Sequence, residues 1–328
     1  MKQLSRADAN KLSDFRDADE KLARLPHAML EKDVFITEAI LAVAALKNSD
    51  IEVVFCGGTS LSKAHGLVER MSEDVDFKLD VRDRSLSKNQ RRGLLSAFRD
   101  TTVSELKKLG YEIQDEHVKS RDANRYTEIQ LPYKTSFTQL AAIRPDVRIE
   151  LNASSPRIAT VMCDVQTLVS RGLTLSRAGS VPCLDVSETM AEKIVAFTRR
   201  AAHFLRGKTR GEFDTTLVRH LYDVYQLENA GGVSNDVVLE LAGHISKNDA
   251  IEFARQHPEY VSDPKGETQR SLNALTEDHR FEDWYNQFVD IMIYGDQKPQ
   301  YPDVVEVFRQ ATSKCMNLAT PAPADRRA

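Results

Sequence analysis

Two hydrophobic rhythms run along the chain, and they change over near residue 185. Before it, most apolar residues recur at every second position in short runs; after it, they recur at intervals of three and four. Residues 27–47 are an early exception, with Met29, Leu30, Val34, Ile36, Ile40, Leu41, Val43 and Leu46 near helical spacing. IEVVFC (51–56) then reads as a buried strand stopped by Gly57-Gly58, and VDFKLDV (75–81) as a second strand. A long helix is predicted over 85–109, broken at Gly110. YEIQD (111–115), residues 126–131 and DVRIELN (146–152) carry strand character, and 161–186 is mixed with short strand-like runs. Helical spacing fills 187–205, 214–229, 235–246, 278–293 and 302–317. The order predicts an α+β fold: a mixed sheet with flanking helices over 1–185, a helical domain over 186–318, and a frayed Pro/Ala-rich tail, ATPAPADRRA, over 319–328.

One segment carries chemistry that this pattern does not need. CGGTSLSKAHGLVERMSEDVDF (56–77) opens on paired glycines and closes on two carboxylates one residue apart. Side chains two apart on a strand share a face, so Asp74 and Asp76 project together while Val75 and Phe77 face the core. Carboxylates held close repel unless a cation joins them, which points to Mg²⁺ or Mn²⁺. The Gly57-Gly58 turn lets backbone approach an anion, and Thr59 or Ser60 is placed to cap the helical turn after it. The spacing is neither a Walker A loop nor a Rossmann fingerprint. On DVRIELN, Asp146, Arg148, Glu150 and Asn152 share one face. If that strand neighbours Asp74 and Asp76, Glu150 completes a metal triad and can act as general base.

Composition narrows the classes. The 328 residues, 41% apolar, can bury a sizeable core, and a formal charge of -4 excludes a uniformly basic nucleic-acid binder. No run approaches the ~18 apolar residues of a spanning helix. The polar start, MKQLSRADANKLSDFRDADEK, lacks the apolar core of a signal peptide, so a cytoplasmic protein is expected. Cys56, Cys163, Cys183 and Cys315 are scattered without a CxxC pair, which argues against a zinc site or a disulfide framework. Two basic segments are candidates for phosphate contacts: Arg199, Arg200, His203, Arg206, Lys208 and Arg210 within 198–210, with Phe204 as a stacking aromatic, and Lys88, Arg91 and Arg92 within 87–92. Ser72, two residues before Asp74, is a candidate modification site, since a phosphate there would repel an incoming triphosphate.

GGTSLSK followed by Arg70, Ser72, Glu73, Asp74, Val75 and Asp76 resembles the AbiEii/AbiGii nucleotidyltransferase toxins, which include the MenT-type toxins. Fifteen residues separate Gly58 from Asp74, a spacing similar to this branch of the polymerase-β-like superfamily. SETMAEKIVAFTRR places Lys193 where the family carries a triphosphate-contacting lysine, and RHLYDVYQL, with Arg219, Tyr222 and Asp223, resembles the family's R-x-x-x-D helix. The resemblance implies a polymerase-β-like core and a toxin that transfers nucleotides from an NTP to an acceptor, for several members the tRNA 3′ end, with a cognate antitoxin as partner. It implies that Asp74, Asp76 and Glu150 hold Mg²⁺ or Mn²⁺, that Gly57, Gly58, Thr59, Ser60 and Lys63 line the phosphates, and that Lys193, Arg219 and Asp223 complete the site. Transfer onto a protein side chain, a non-catalytic nucleotide-binding module, and surface acids on a structural helical protein stay open as alternatives.

Overall fold

The computed structural model describes residues 1–140, 143–169, 178–208 and 213–318. The chain divides into two compact units, Met1–Asp185 and Val186–Ala328. The expected tail over 319–328 lies outside the described residues.

The first unit holds a seven-stranded mixed sheet: β1 (Ile51–Cys56), β2 (Asp74–Val81), β3 (Val118–Arg121), β4 (Tyr126–Pro132), β5 (Asp146–Asn152), β6 (Val161–Gln166) and β7 (Ala178–Cys183). Their spatial order is β3-β4-β5-β2-β1-β7-β6. Strands β2 and β5 run parallel, as do β1 and β7; the other neighbours are antiparallel. The centre falls on β1 and β2, where Val54, Phe55, Val75 and Phe77 are sealed from water and the two phenyl rings lie 5.6 Å apart. Four helices accompany the sheet among the described residues: α1 (Arg6–Ala18), α2 (His27–Ala44), α3 (Gly57–Lys63) and α4 (Lys88–Lys108). Helix α2 packs on β1, β2, β5 and β7, burying Val34, Ile36, Ile40 and Val43. Helix α4 starts on a capping box in which Ser87 and Gln90 satisfy each other's free backbone donors.

One local expectation fails and two elements went unforeseen, each for a physical reason. YEIQD is not a strand: Tyr111 and Ile113 are buried, so the alternation records burial, but no neighbouring strand pairs with that backbone. Polar α1 and the exposed strand β3 lack the apolar rhythm that would announce them.

The second unit is helical throughout its described residues: α5 (Val186–Leu205), α6 (Arg219–Ala230), α7 (Asn235–Glu252), α8 (Pro258–Ser262), α9 (Pro264–Glu277), α10 (Arg280–Met292) and α11 (Tyr301–Met316). Helix α5 runs through its middle against α6, α7 and α9, and Phe197 meets Phe281 and Phe308. The missed α9 opens with Asp263 accepting from the Gly266 N–H and Pro264 in the first turn, where its absent N–H costs nothing.

Candidate active site

Strand β1 delivers the chain into Gly57, whose φ of +77° lies in the left-handed region. A Cβ on Gly57 would overlap Asp76 Oδ2, and one on Gly58 would overlap the guanidinium of the buried Arg70. The two glycines therefore let a carboxylate and a guanidinium lie directly on the first turn of α3. Register explains why that carboxylate belongs to Asp76, since Cys56 on β1 faces Asp76 on β2.

The hydroxyls behind them are turned inward, contrary to the capping role expected. Helix α3 has no side-chain cap. The Thr59 hydroxyl donates to the Asp74 backbone carbonyl and lies 2.7 Å from the Ser72 hydroxyl, while Ser60 Oγ donates to the Gly57 carbonyl at 2.9 Å. Lys63 Nζ meets Asp33 Oδ1 at 2.5 Å, with both side chains almost wholly buried. Thr59, Ser60 and Lys63 thus brace α3 against β2 and α2, and the segment offers an anion its backbone at Gly57 and Gly58.

Asp74 and Asp76 share the half-buried face of β2, with Val75 and Phe77 buried on the other. Asp76 is in register with Glu150 on parallel β5, and Glu150 in turn faces Glu128 on β4. Neighbouring strands lie about 4.8 Å apart, so Asp76, Glu150 and Glu128 form a row across three strands, with Asp74 one step along the same face. Burial raises the Glu150 pKa above the carboxylate range, the Asp74 and Glu128 charges add to it, and the Tyr126 hydroxyl bond and Arg148 work against it. Burial followed by the Glu150 charge raises the Tyr126 pKa too. Glu128 and Tyr126 escaped the sequence reading, although the alternation of β4 (Tyr126, Glu128, Gln130 against buried Thr127, Ile129, Leu131) marks their face.

Arg144, also missed, supplies the countercharge. Its Nη2 lies 2.6 Å from Asp74 Oδ1. Its backbone is clamped, because Glu73 Oε1 accepts its N–H at 2.9 Å and Lys32 Nζ donates to its carbonyl at 2.9 Å, with Lys32 and Glu73 themselves ion-paired. Burial works against the Arg144 charge, but Asp74 and Glu73 overcome it and raise its pKa. The all-oxygen donor set of Asp74, Asp76 and Glu150 suits a hard divalent cation. Asp74 is held by Arg144 in this arrangement.

In the helical unit, Lys193 on α5 and Asp223 on α6 form an ion pair of 2.6 Å, with 7% and 0% of their side chains exposed. His220 Nδ1 lies 3.1 Å from the Lys193 carbonyl, and burial, then the Lys193 and Arg219 charges, hold its pKa well below the usual range. Arg219 starts α6 half-buried. The expected basic face over 198–208 is neutralised: Arg199 pairs with Asp249, Arg200 with Asp214, Arg206 with Glu267 and Lys208 with Glu259, while Arg210 lies outside the described residues. In the first unit Lys88 and Arg92 are exposed and Arg91 half-exposed.

The family model for the nucleotidyl transferase AbiEii toxin of type IV toxin–antitoxin systems matches residues 39–309. The chain belongs to that family. The match runs from α2 to α11 and takes in the paired glycines, the carboxylate row, Lys193 and Asp223. Among solved structures, MenT4, a nucleotidyltransferase toxin from Mycobacterium tuberculosis H37Rv, aligns over 95% of this chain and 90% of its own, with TM-score 0.55 and 16% identity, a likeness of fold. A candidate nucleotidyltransferase from H. pylori aligns over 89% of this chain and 96% of its own at 14% identity, with a TM-score of 0.43 on which nothing is built. No curated protein matches. No helix among the described residues is long and apolar enough to cross a membrane.

Proposed function

We propose that the chain is a cytoplasmic, metal-dependent nucleotidyltransferase toxin that moves a nucleotide from an NTP to the tRNA 3′ end, under the control of a cognate antitoxin. The observation that carries the reading is the in-register pairing of Asp76 with Glu150, beside Asp74 and next to a glycine turn that only a side-chain-free residue can make. Asp74, Asp76 and Glu150 would hold Mg²⁺ or Mn²⁺; a bound cation offsets their mutual repulsion and neutralises phosphate charge. The backbone at Gly57 and Gly58 approaches the phosphates. Glu150, its proton affinity raised by burial and by the Asp74 and Glu128 charges, accepts the proton of the attacking ribose hydroxyl as that oxygen bonds to the α-phosphorus and pyrophosphate leaves. Arg144 releases Asp74 when a cation competes for it. In the helical unit, Asp223 holds the Lys193 ammonium in one place, which suits a lysine that contacts the triphosphate, as the family resemblance implies, and Arg219 belongs to the same motif.

A protein acceptor is the second reading, favoured by the pairing of the cations over 199–208, which leaves Lys88, Arg91 and Arg92 as the first unit's basic segment. The test is incubation with Mg²⁺, each α-labelled NTP in turn, tRNA and lysate protein. Label on tRNA that disappears in Asp76→Ala supports the first reading and names the base. Label on protein replaces the acceptor and keeps the chemistry; label nowhere overturns the transferase reading.

A further inference from the structure

The four cysteines look unconnected in sequence, yet the fold brings two of them together with a histidine. Cys163 lies on the edge strand β6, Cys183 on its partner β7, and His65 directly beyond the end of α3. A ring nitrogen of His65, Cys163 Sγ and Cys183 Sγ all lie within 4.8 Å of one another, and His65 Nδ1 is 3.8 Å from Cys163 Sγ. We propose that His65, Cys163 and Cys183 form a binding site for a soft divalent cation of the zinc class, separate from the carboxylate row.

Three observations support the assignment. Zinc bonds of about 2.3 Å to sulfur and about 2.0 Å to nitrogen, arranged tetrahedrally, place neighbouring ligand atoms roughly 3.5–3.8 Å apart, so closure needs shifts of about an ångström or less. His65 Nε2 lies 3.0 Å from the Leu184 carbonyl, so with its proton on Nε2 the ring is held in place and Nδ1 is left as the ligand atom. Metal-bound histidines are commonly oriented by such a carbonyl. The donor set of two sulfurs and one imidazole selects a softer ion than the oxygen-only row on β2 and β5. His65 and Cys163 are half-buried and Cys183 fully buried, so a tetrahedral ion would take three protein ligands and one from solvent. A cation binds the thiolates and not the thiols, so binding expels their protons and strengthens with pH.

Such an ion would fix the far end of α3 to the β6–β7 edge. Lys63 already ties that helix to Asp33, and Leu184 N donates to the Phe55 carbonyl at 2.9 Å, one residue before Cys56. The scattered spacing that argues against a zinc site in the sequence is overcome by topology: β7 returns beside β1, and α3 leaves from the end of β1.

The full chain, purified without chelator, is assayed for bound metal and titrated with Co²⁺ as the spectroscopic probe. One zinc per chain is expected, together with the visible and thiolate-charge-transfer absorption of sulfur-ligated tetrahedral cobalt. Zinc affinity against a chromogenic chelator should fall about 10-fold or more in Cys163→Ser and in His65→Gln, each checked for unchanged helical signal, and stay unchanged in Cys315→Ser and Asp76→Ala. Absent metal with all thiols titrating freely overturns the proposal. So does absent metal with a mass lower by two hydrogens, which would mean a Cys163–Cys183 disulfide, or zinc retained in both site variants.

Discussion

Two groups of carboxylates, one in each unit, are treated in opposite ways. In the helical unit four acids each have a cation: Asp249 with Arg199, Asp214 with Arg200, Asp223 with Lys193, and Glu267 with Arg206, Arg270 and His257. In the sheet unit Asp74, Asp76, Glu128 and Glu150 share one face with two arginines, Arg144 and Arg148. Glu267 and Glu150 show the contrast best. Burial raises the Glu267 pKa, but hydrogen bonds from Arg206, His257 and Arg270 outweigh it and bring that carboxyl down to about 2. Burial also raises Glu150, and there the neighbouring Asp74 and Glu128 charges add to the effect. Pairing serves the fold; like charges set side by side are a cost to the fold that a ligand can relieve.

The comparison breaks first at the pairs. Asp223→Ala, which strands the buried Lys193 ammonium, should cost about 3–5 kcal/mol, read as a lowered denaturant midpoint. Asp76→Asn should leave the chain folded while transfer falls on the order of 10²–10³-fold, roughly 3–4 kcal/mol of barrier. A large loss of stability in Asp76→Asn would put that residue among the structural acids.

Gly57→Ala comes next. It forces a left-handed φ on an L-residue, about 1–2 kcal/mol, and pushes its Cβ into Asp76. Both midpoint and transfer should fall, whereas Gly66→Ala, also at positive φ but with open space around its Cβ, should lose stability alone.

The smallest effects are the sharpest in sign. A carboxyl whose folded pKa is raised gives stability below its unfolded pKa and loses it as pH rises through the folded value. Glu150→Gln should therefore melt above wild type near neutral pH, with the gap closing towards about pH 4.5. Glu267→Gln should melt below wild type near neutral pH, with that gap closing as pH falls from about 4.5 to about 2. Two melting series settle both.

Much of this contrast was legible before the fold. The DxD alternation on β2 gave the shared face of Asp74 and Asp76, because period two is a local property of a strand. That Glu150 neighbours Asp76 was conditional in sequence, since pairing β2 with β5 spans α4 and two intervening strands. Glu128 and Arg144 were not singled out: one sits in ordinary alternation, and the other, just before β5, acquires meaning only through Asp74, Glu73 and Lys32. Thr59, Ser60 and Lys63 were read as facing a ligand, but burial of α3 against β2 and α2 turned them inward. The pairing of the cations over 199–208 was not legible for the same reason, because their carboxylate partners lie on α7, α8 and α9 and just before α6, too far along the chain for periodicity to connect them.

The most direct test of the carboxylate row as the reacting centre is Mg²⁺-dependent transfer of α-labelled nucleotide by wild type and Asp76→Asn, both shown to melt at the same temperature. Label transferred by wild type and abolished in the variant is the expected result. Equal transfer by the two proteins would contradict it, and the row would then be no more than an acidic face of the sheet.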